Sequence, residues 1–167
     1  RSRGDESFAL RSRALGSSDE WLENVSGFVR SSTATPARLA GVPPAQRWGE
    51  ATPAPRGAHH LGLGPRFLSP TVDLEHEGRR WCRLALAPAF AADLEGFGVH
   101  PGLLDAAIAG ALRTMGRQES VPHTYDSVRL FGKLPHEVIA VAARHRVGAS
   151  AAADYTIADL AGNPLIE

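Results

Sequence analysis

Hydrophobic and polar positions alternate most clearly in "TVDLEHEGRRWCRLALA", residues 71–87. Val72, Leu74 and His76 share one face of a first strand. Trp81, Arg83 and Ala85 share a face of its return, with Cys82, Leu84 and Leu86 on the other. The pattern breaks at Glu77-Gly78-Arg79, where glycine permits the tight turn of a hairpin. The period then changes. Over residues 101–115, Leu104, Ala107, Ile108, Ala111, Leu112 and Met115 recur at helical spacing, and Pro101 suits a first helical position. Strand-like runs follow in "YDSVRLFG", "EVIAVAARHRV" and "DYTIADL", and "AGNP" is a turn before a final "LIE". Nearer the start, "SFALRS" and "WLENVSGFVR" flank the turn "GSSDE" and read as another hairpin. Between the two hairpins, residues 31–57 are rich in Pro, Ala, Ser and Thr with little periodicity. They carry Pro36, Pro43, Pro44, Pro53 and Pro55, which predicts a linker.

One helix among many antiparallel strands predicts an α+β fold with the helix packed on a curved sheet. The 167 residues suffice for one domain with a sizeable core. Eighteen basic and eighteen acidic side chains give zero net charge, so nothing steers the chain toward nucleic acid or an anionic membrane. The longest apolar run, Leu84 to Ala92, is interrupted by Pro88 and is too short to span a bilayer. The charged opening "RSRGDESF" does not resemble a signal peptide, which predicts a soluble cytoplasmic protein. An opening Arg in place of Met predicts a piece of a longer polypeptide. The single Cys82 excludes an internal disulfide and reads as a small strand residue.

Asp105 stands out within "HPGLLDAAIAGAL", residues 100–112, because its neighbours Leu103, Leu104, Ala106, Ala107 and Ile108 are all apolar. An acid in a first helical turn is explained by the helix dipole, but Asp105 lies in the second turn, where that effect has faded. Burial opposes ionisation of a carboxylate and suits it to donating a proton near neutral pH. Other polar groups read more plainly. His59-His60 lacks the further ligands that zinc needs, so no metal is expected. His100 reads as a helix-entry residue. Ser12, Ser26 and Ser127 lack the Gly-x-Ser-x-Gly setting of a hydrolase nucleophile.

Taken together, these stretches resemble polyketide synthase dehydratase domains. "FGVHPGLLDAAIAGAL" is similar to the family's helix with its His-Pro-x-Leu-Leu-Asp-Ala segment. "LGLGPRF", residues 61–67, resembles Gly-x-x-Tyr-Gly-Pro-x-Phe. "VPHTYDSVRLFGKLP" resembles the strand after the helix, and "TIADLAGNPL" the closing hairpin. "FALRSRALGSSDEWLENVSGFV" resembles the last strands of the preceding half. Each segment alone is weak, but five occur in the family's order.

The resemblance implies a hot-dog fold, a long helix wrapped by an antiparallel sheet. It implies residues 1–30 as the last strands of a first hot-dog, 31–57 as a linker and 58–167 as a second hot-dog. It implies elimination of water from a β-hydroxyacyl thioester, with Asp105 as the acid and a His of the first hot-dog as the base. Leu63, Gly64, Pro65, Phe67, His100 and Ala109 are then expected to face the substrate. The acyl chain would ride on the phosphopantetheine of an acyl carrier protein, with no metal or diffusible cofactor. Partners would be that carrier, the first hot-dog half and other synthase domains, in a dimeric parent.

The sequence departs from the family in three places. The His-x-x-x-Gly-x-x-x-x-Pro motif that carries the base has no good match. From His60, Gly64 is correctly placed, but position 69 is Ser and Pro70 comes one too late. The Gln or His expected four residues after the acid is Ala109, and the Tyr before Gly-Pro is Leu63. Such losses also fit relatives that isomerise, cyclise, assist branching or only scaffold. Without the His, the 167-residue chain alone is expected to be inactive.

Overall fold

A computed structural model of the chain describes residues 6–16, 18, 20–50, 64–69, 71–114, 125–147 and 150–167. Its contacts divide it into two units, residues 1–35 and 36–167.

In the first unit, β1 (Glu6–Ser12) and β2 (Leu22–Val29) form the expected antiparallel hairpin. A register shift between Leu10 and Arg11 marks a bulge. Arg11 and Glu23 pair across the strands at 3.1 Å, and the hydrogen bond from Ser26 followed by that from Arg11 holds Glu23 below its ordinary pKa. The Phe8 ring lies over Gly27, so near that a Cβ there would be 2.9 Å from it.

The second unit is built on five antiparallel strands in the order β3-β4-β5-β6-β7. These are β3 (Thr71–His76), β4 (Arg79–Ala85), β5 (Glu137–Val147), β6 (Ser150–Ala158) and β7 (Pro164–Ile166). The turn between β3 and β4 has φ +50° at Glu77 and +70° at Gly78. Positive φ at both central positions gives a turn whose twist matches that of the strands it joins. The resulting register sets Leu74 opposite Trp81 and Asp73 opposite Cys82. Period 2 then sorts the side chains. Cys82, Leu84, Val138, Ala140, Ile157 and Ile166 line the inner face, and Trp81, Ile139, Val141 and Ala158 the outer.

A short helix, α1 (Asp93–Gly96), precedes the long helix α2 (Pro101–Thr114), which packs on the inner face against β4, β5 and β6. This is the expected hot-dog arrangement. The side of α2 that meets the sheet differs from the expected one. Leu103, Ala106, Ala107 and Gly110 are the buried stripe, and Leu104 and Ile108 lie on its flank. Small residues at 106, 107 and 110 let the helix approach the sheet closely, with Leu103 as a large, fully buried anchor. Met115 lies outside the described residues.

Two other readings are changed. "YDSVRLFG" pairs as a single bridge, Leu130 with Ile166, flanked by Arg129 N–H to Glu167 O (2.6 Å) and Phe131 N–H to Leu165 O (2.9 Å). Its partner β7 is only three residues long, so little ladder is available. Within the stretch read as a linker, Leu39, Val42 and Trp48 pack on the outer face beside Trp81. Leu39 N–H donates to Gly162 O at 2.9 Å, and Arg38 Nε to Ala161 O at 2.7 Å. Gly162, at φ +86°, leaves room for Val42, whose Cγ2 would stand 2.8 Å from a Cβ at that position. Residues 51–57 lie outside the described residues.

Candidate active site

Asp105 is placed by α2 on the side turned from its own sheet. At about 100° per residue it stands about 200° round the helix from Leu103. The expectation of an apolar enclosure is therefore corrected: Asp105 is partly exposed, like Ala109 one turn later. Of the apolar neighbours that suggested burial, Leu103, Ala106 and Ala107 face the sheet instead.

Two tyrosines, the only two in the chain, belong to this region and were not singled out from the sequence. Tyr155 on β6 packs against the inner core, and burial, with a smaller contribution from Tyr125, pushes its phenol up to about 12. Tyr125 is raised by burial and by the negative charge of Asp105. Tyr125 thus lies within electrostatic reach of both Asp105 and Tyr155. The signal for Tyr125 was present in "VPHTYDSVRL", but no periodicity ties that residue to a helix some twenty positions earlier.

The turn that carries Gly64, Pro65 and Phe67 is a 3-10 turn, Pro65–Phe67, closed by Phe67 N–H to Gly64 O at 3.0 Å. It lies against the first turn of α2. A Cβ on Gly102 would collide with the carbonyl oxygen of Arg66 and stand 3.1 Å from its carbonyl carbon. The structure thus brings the Gly-Pro-x-Phe and His-Pro-x-Leu-Leu-Asp segments together. Gly64 and Pro65 are exposed, and Phe67 is half-buried. Leu63, His59 and His60 lie outside the described residues.

His100 is 1% exposed, at the entry to α2. Its Nδ1 accepts from the Gly102 amide at 3.2 Å and the Leu103 amide at 3.4 Å, so the side chain caps the helix. Its Nε2 faces Asp93 Oδ2 at 3.6 Å, and Phe97 meets the ring edge-on at 5.7 Å between centroids. Asp93 in turn accepts from Arg66 Nε at 2.6 Å. That bond is the main reason Asp93 is held below the usual carboxylate range and Arg66 is raised further. The Arg66 guanidinium also lies 4.8 Å from the centre of the Phe90 ring. Arg66 and Asp93 too were missed in the sequence, because their partnership spans 27 residues without a shared element.

A sequence model described as polyketide synthase dehydratase N-terminal domain matches residues 54–167. The chain belongs to the polyketide synthase dehydratase family. Among solved structures it is similar to a bifunctional dehydratase-cyclase domain of ambruticin biosynthesis, at 24% identity and TM-score 0.70, covering 99% of this chain and 62% of that one. It is similar to the dehydratase domain from the terminal module of the rifamycin polyketide synthase, at 20% identity and TM-score 0.71, covering 99% and 62%. An N-terminal dehydratase from the difficidin assembly line matches at 18% identity and TM-score 0.74, covering 100% and 64%. At these identities the likeness establishes the fold. The chain spans about three-fifths of the length of these dehydratase structures. A comparison with curated proteins finds no match. Among the described residues of this dehydratase family member, no helix is long and apolar enough to cross a membrane.

Proposed function

We propose that the parent protein eliminates water from a β-hydroxyacyl thioester, with Asp105 as the proton donor. The observation that carries this reading is the position of Asp105. It stands on the side of α2 away from the sheet, with Ala109 one turn on and the 64–67 turn seated at the helix start. The small side chain at 109 leaves space along this flank for an extended acyl chain. A base removes the proton α to the thioester carbonyl. The Cα–Cβ double bond forms as the Cβ–O bond breaks, and the hydroxyl takes the Asp105 proton to leave as water. The base is a His of the companion hot-dog half. Pairing a base with an acid in a different environment allows both to work at one pH.

The thioester is carried by the phosphopantetheine of an acyl carrier protein, and neither metal nor diffusible cofactor takes part. The carrier, the companion half and other synthase domains are the partners in this reading, within a dimer. A second reading, cyclisation or isomerisation without net dehydration, draws on Ala109 at the place of a family Gln or His, and on the dehydratase-cyclase among the structural neighbours. The test is conversion of a β-hydroxyacyl carrier-protein thioester by the intact parent, followed by mass spectrometry. Loss of 18 Da, roughly one water, that disappears in Asp105→Asn supports dehydration, because the amide keeps the shape but has no acidic proton to deliver. Product of unchanged mass supports the second reading, and full dehydration by the Asn variant rejects Asp105 as the acid.

A further inference from the structure

The groups around the start of α2 close into a ring. Arg66 Nε donates to Asp93 Oδ2 at 2.6 Å, and the same oxygen faces His100 Nε2 at 3.6 Å. His100 Nδ1 accepts from the Gly102 and Leu103 amides, and Gly102 abuts the Arg66 carbonyl. Three separate stretches, the 64–67 turn, α1 and the α2 start, are thereby joined through one imidazole.

The chemistry of that imidazole is constrained on both sides. Two amide protons converge on Nδ1, so Nδ1 must offer a lone pair. The proton of the neutral ring is then on Nε2, pointing toward a carboxylate. Nε2 is buried and has no hydrogen-bond partner within ordinary range among the described residues. A ring whose lone pair caps a helix is not free to take a substrate proton. It is well placed to fix the helix. Slippage of the first turn by one residue would turn Asp105 by about 100°.

We propose that His100 is a positioning residue for the reaction proposed above. As the Nε2–H tautomer it caps α2, and with Asp93 and Arg66 it locks the 64–67 turn to the helix start. Asp105 is thereby held at a set distance from that turn. This inference rests on the dehydration reading for its consequence in turnover, but not for its structural content.

The test uses the intact parent and compares His100→Asn with His100→Leu. Asn places an acceptor at the same reach from the backbone, whereas Leu has none. His100→Leu should lower kcat about tenfold to a hundredfold with KM little changed, as a misplacement near 1 Å does elsewhere. His100→Asn should recover most of that loss. Two readouts do not depend on turnover. Long-range ¹H–¹⁵N NMR of the wild type should show the proton on Nε2. The ionisation of Tyr125, which senses the Asp105 charge, should move in His100→Leu and stay in His100→Asn. Should His100→Leu fail to fold, Arg66→Gln replaces it, since that side chain is 58% exposed. It should lower kcat severalfold and leave the His100 tautomer as it was. An Nδ1–H tautomer, equal impairment by Asn and Leu, or Tyr125 ionisation unmoved by both the Leu and Gln variants overturns the proposal. Full turnover in Asp105→Asn rejects Asp105 as the acid, while the tautomer and Tyr125 results still decide the role of His100.

Discussion

Gly102→Ala separates two opposed effects of known size. In an α-helix, replacing Gly by Ala stabilises by about 1 kcal/mol, because Ala loses less backbone entropy. Gly102 is the second residue of α2. If only the helix mattered, the substitution would strengthen it. The added methyl, however, meets the carbonyl of Arg66, with the carbonyl carbon at 3.1 Å and His100 Cε1 at 3.2 Å. The nearest obstacle is backbone, so it cannot swing aside as a side-chain tip would. Overpacking of this kind costs about 1–3 kcal/mol. A backbone obstacle puts the cost at the upper end of that range, and the helix-propensity gain of about 1 kcal/mol offsets part of it, so the net expectation is a loss of about 2 kcal/mol. Gly98→Ala serves as the control. A Cβ there meets nothing within 4 Å, so it should stay within about 0.5 kcal/mol of wild type. Urea unfolding followed by tryptophan fluorescence gives both values, and the same preparations show whether the Arg66–Asp93 pair survives. A Gly102→Ala variant equal to or more stable than wild type would refute the close approach of the 64–67 turn to α2, and with it the ring through His100.

Leu103→Ala removes a fully buried side chain and should cost about 2–5 kcal/mol in the same urea assay. In an absorbance titration Tyr155 should ionise at about 12 and Tyr125 above its ordinary value of 10.0. Asp105→Asn should lower the Tyr125 midpoint by removing a nearby negative charge, and an unmoved midpoint would show that the two groups are not neighbours. Because folding raises the Tyr155 pKa, its contribution to stability is present below pH 10 and is lost as pH rises toward about 12; Tyr155→Phe should flatten that decline in alkaline unfolding curves. Asp93 has the opposite sign. Its pKa is depressed, so its contribution is present above 3.8 and lost as pH falls through the lower folded value, and Asp93→Asn should shallow the acid limb there.

The elements that were legible in the sequence are those written by local geometry. The β3–β4 hairpin follows from alternation around Glu77-Gly78, because only a residue pair that tolerates positive φ makes that turn. The helix follows from its spacing and from Pro101. Less legible was anything decided by shape across the fold. Leu104 and Ile108 outweigh Ala106, Ala107 and Gly110 on a hydrophobicity scale, yet close packing favours the small residues, and the buried side of α2 turns accordingly. The same effect concealed Leu39, Val42 and Trp48. Spread among prolines they show no period, but each meets Trp81 or its neighbours on the outer face of the sheet.

The rotation of α2 bears directly on chemistry. Had the stripe been centred on Leu104 and Ile108, Asp105 would have stood next to the buried side, and its carboxylate would have required a partner inside the core. With Leu103, Ala107 and Gly110 inward, the same sequence turns Asp105 outward and asks no desolvation of it from its own sheet. The groups that meet Asp105 must then come from beside the helix. Tyr125 is the one that the electrostatics identify, since its phenol already senses the Asp105 charge. A neutral phenol near a carboxylate can donate to it and so favour the ionised form; a carboxylic acid can instead give its proton to an acceptor on the substrate. Ala109, one turn on from Asp105, carries no polar group, so among the described residues Tyr125 is the neighbour through which the proton transfer proposed above is open to test.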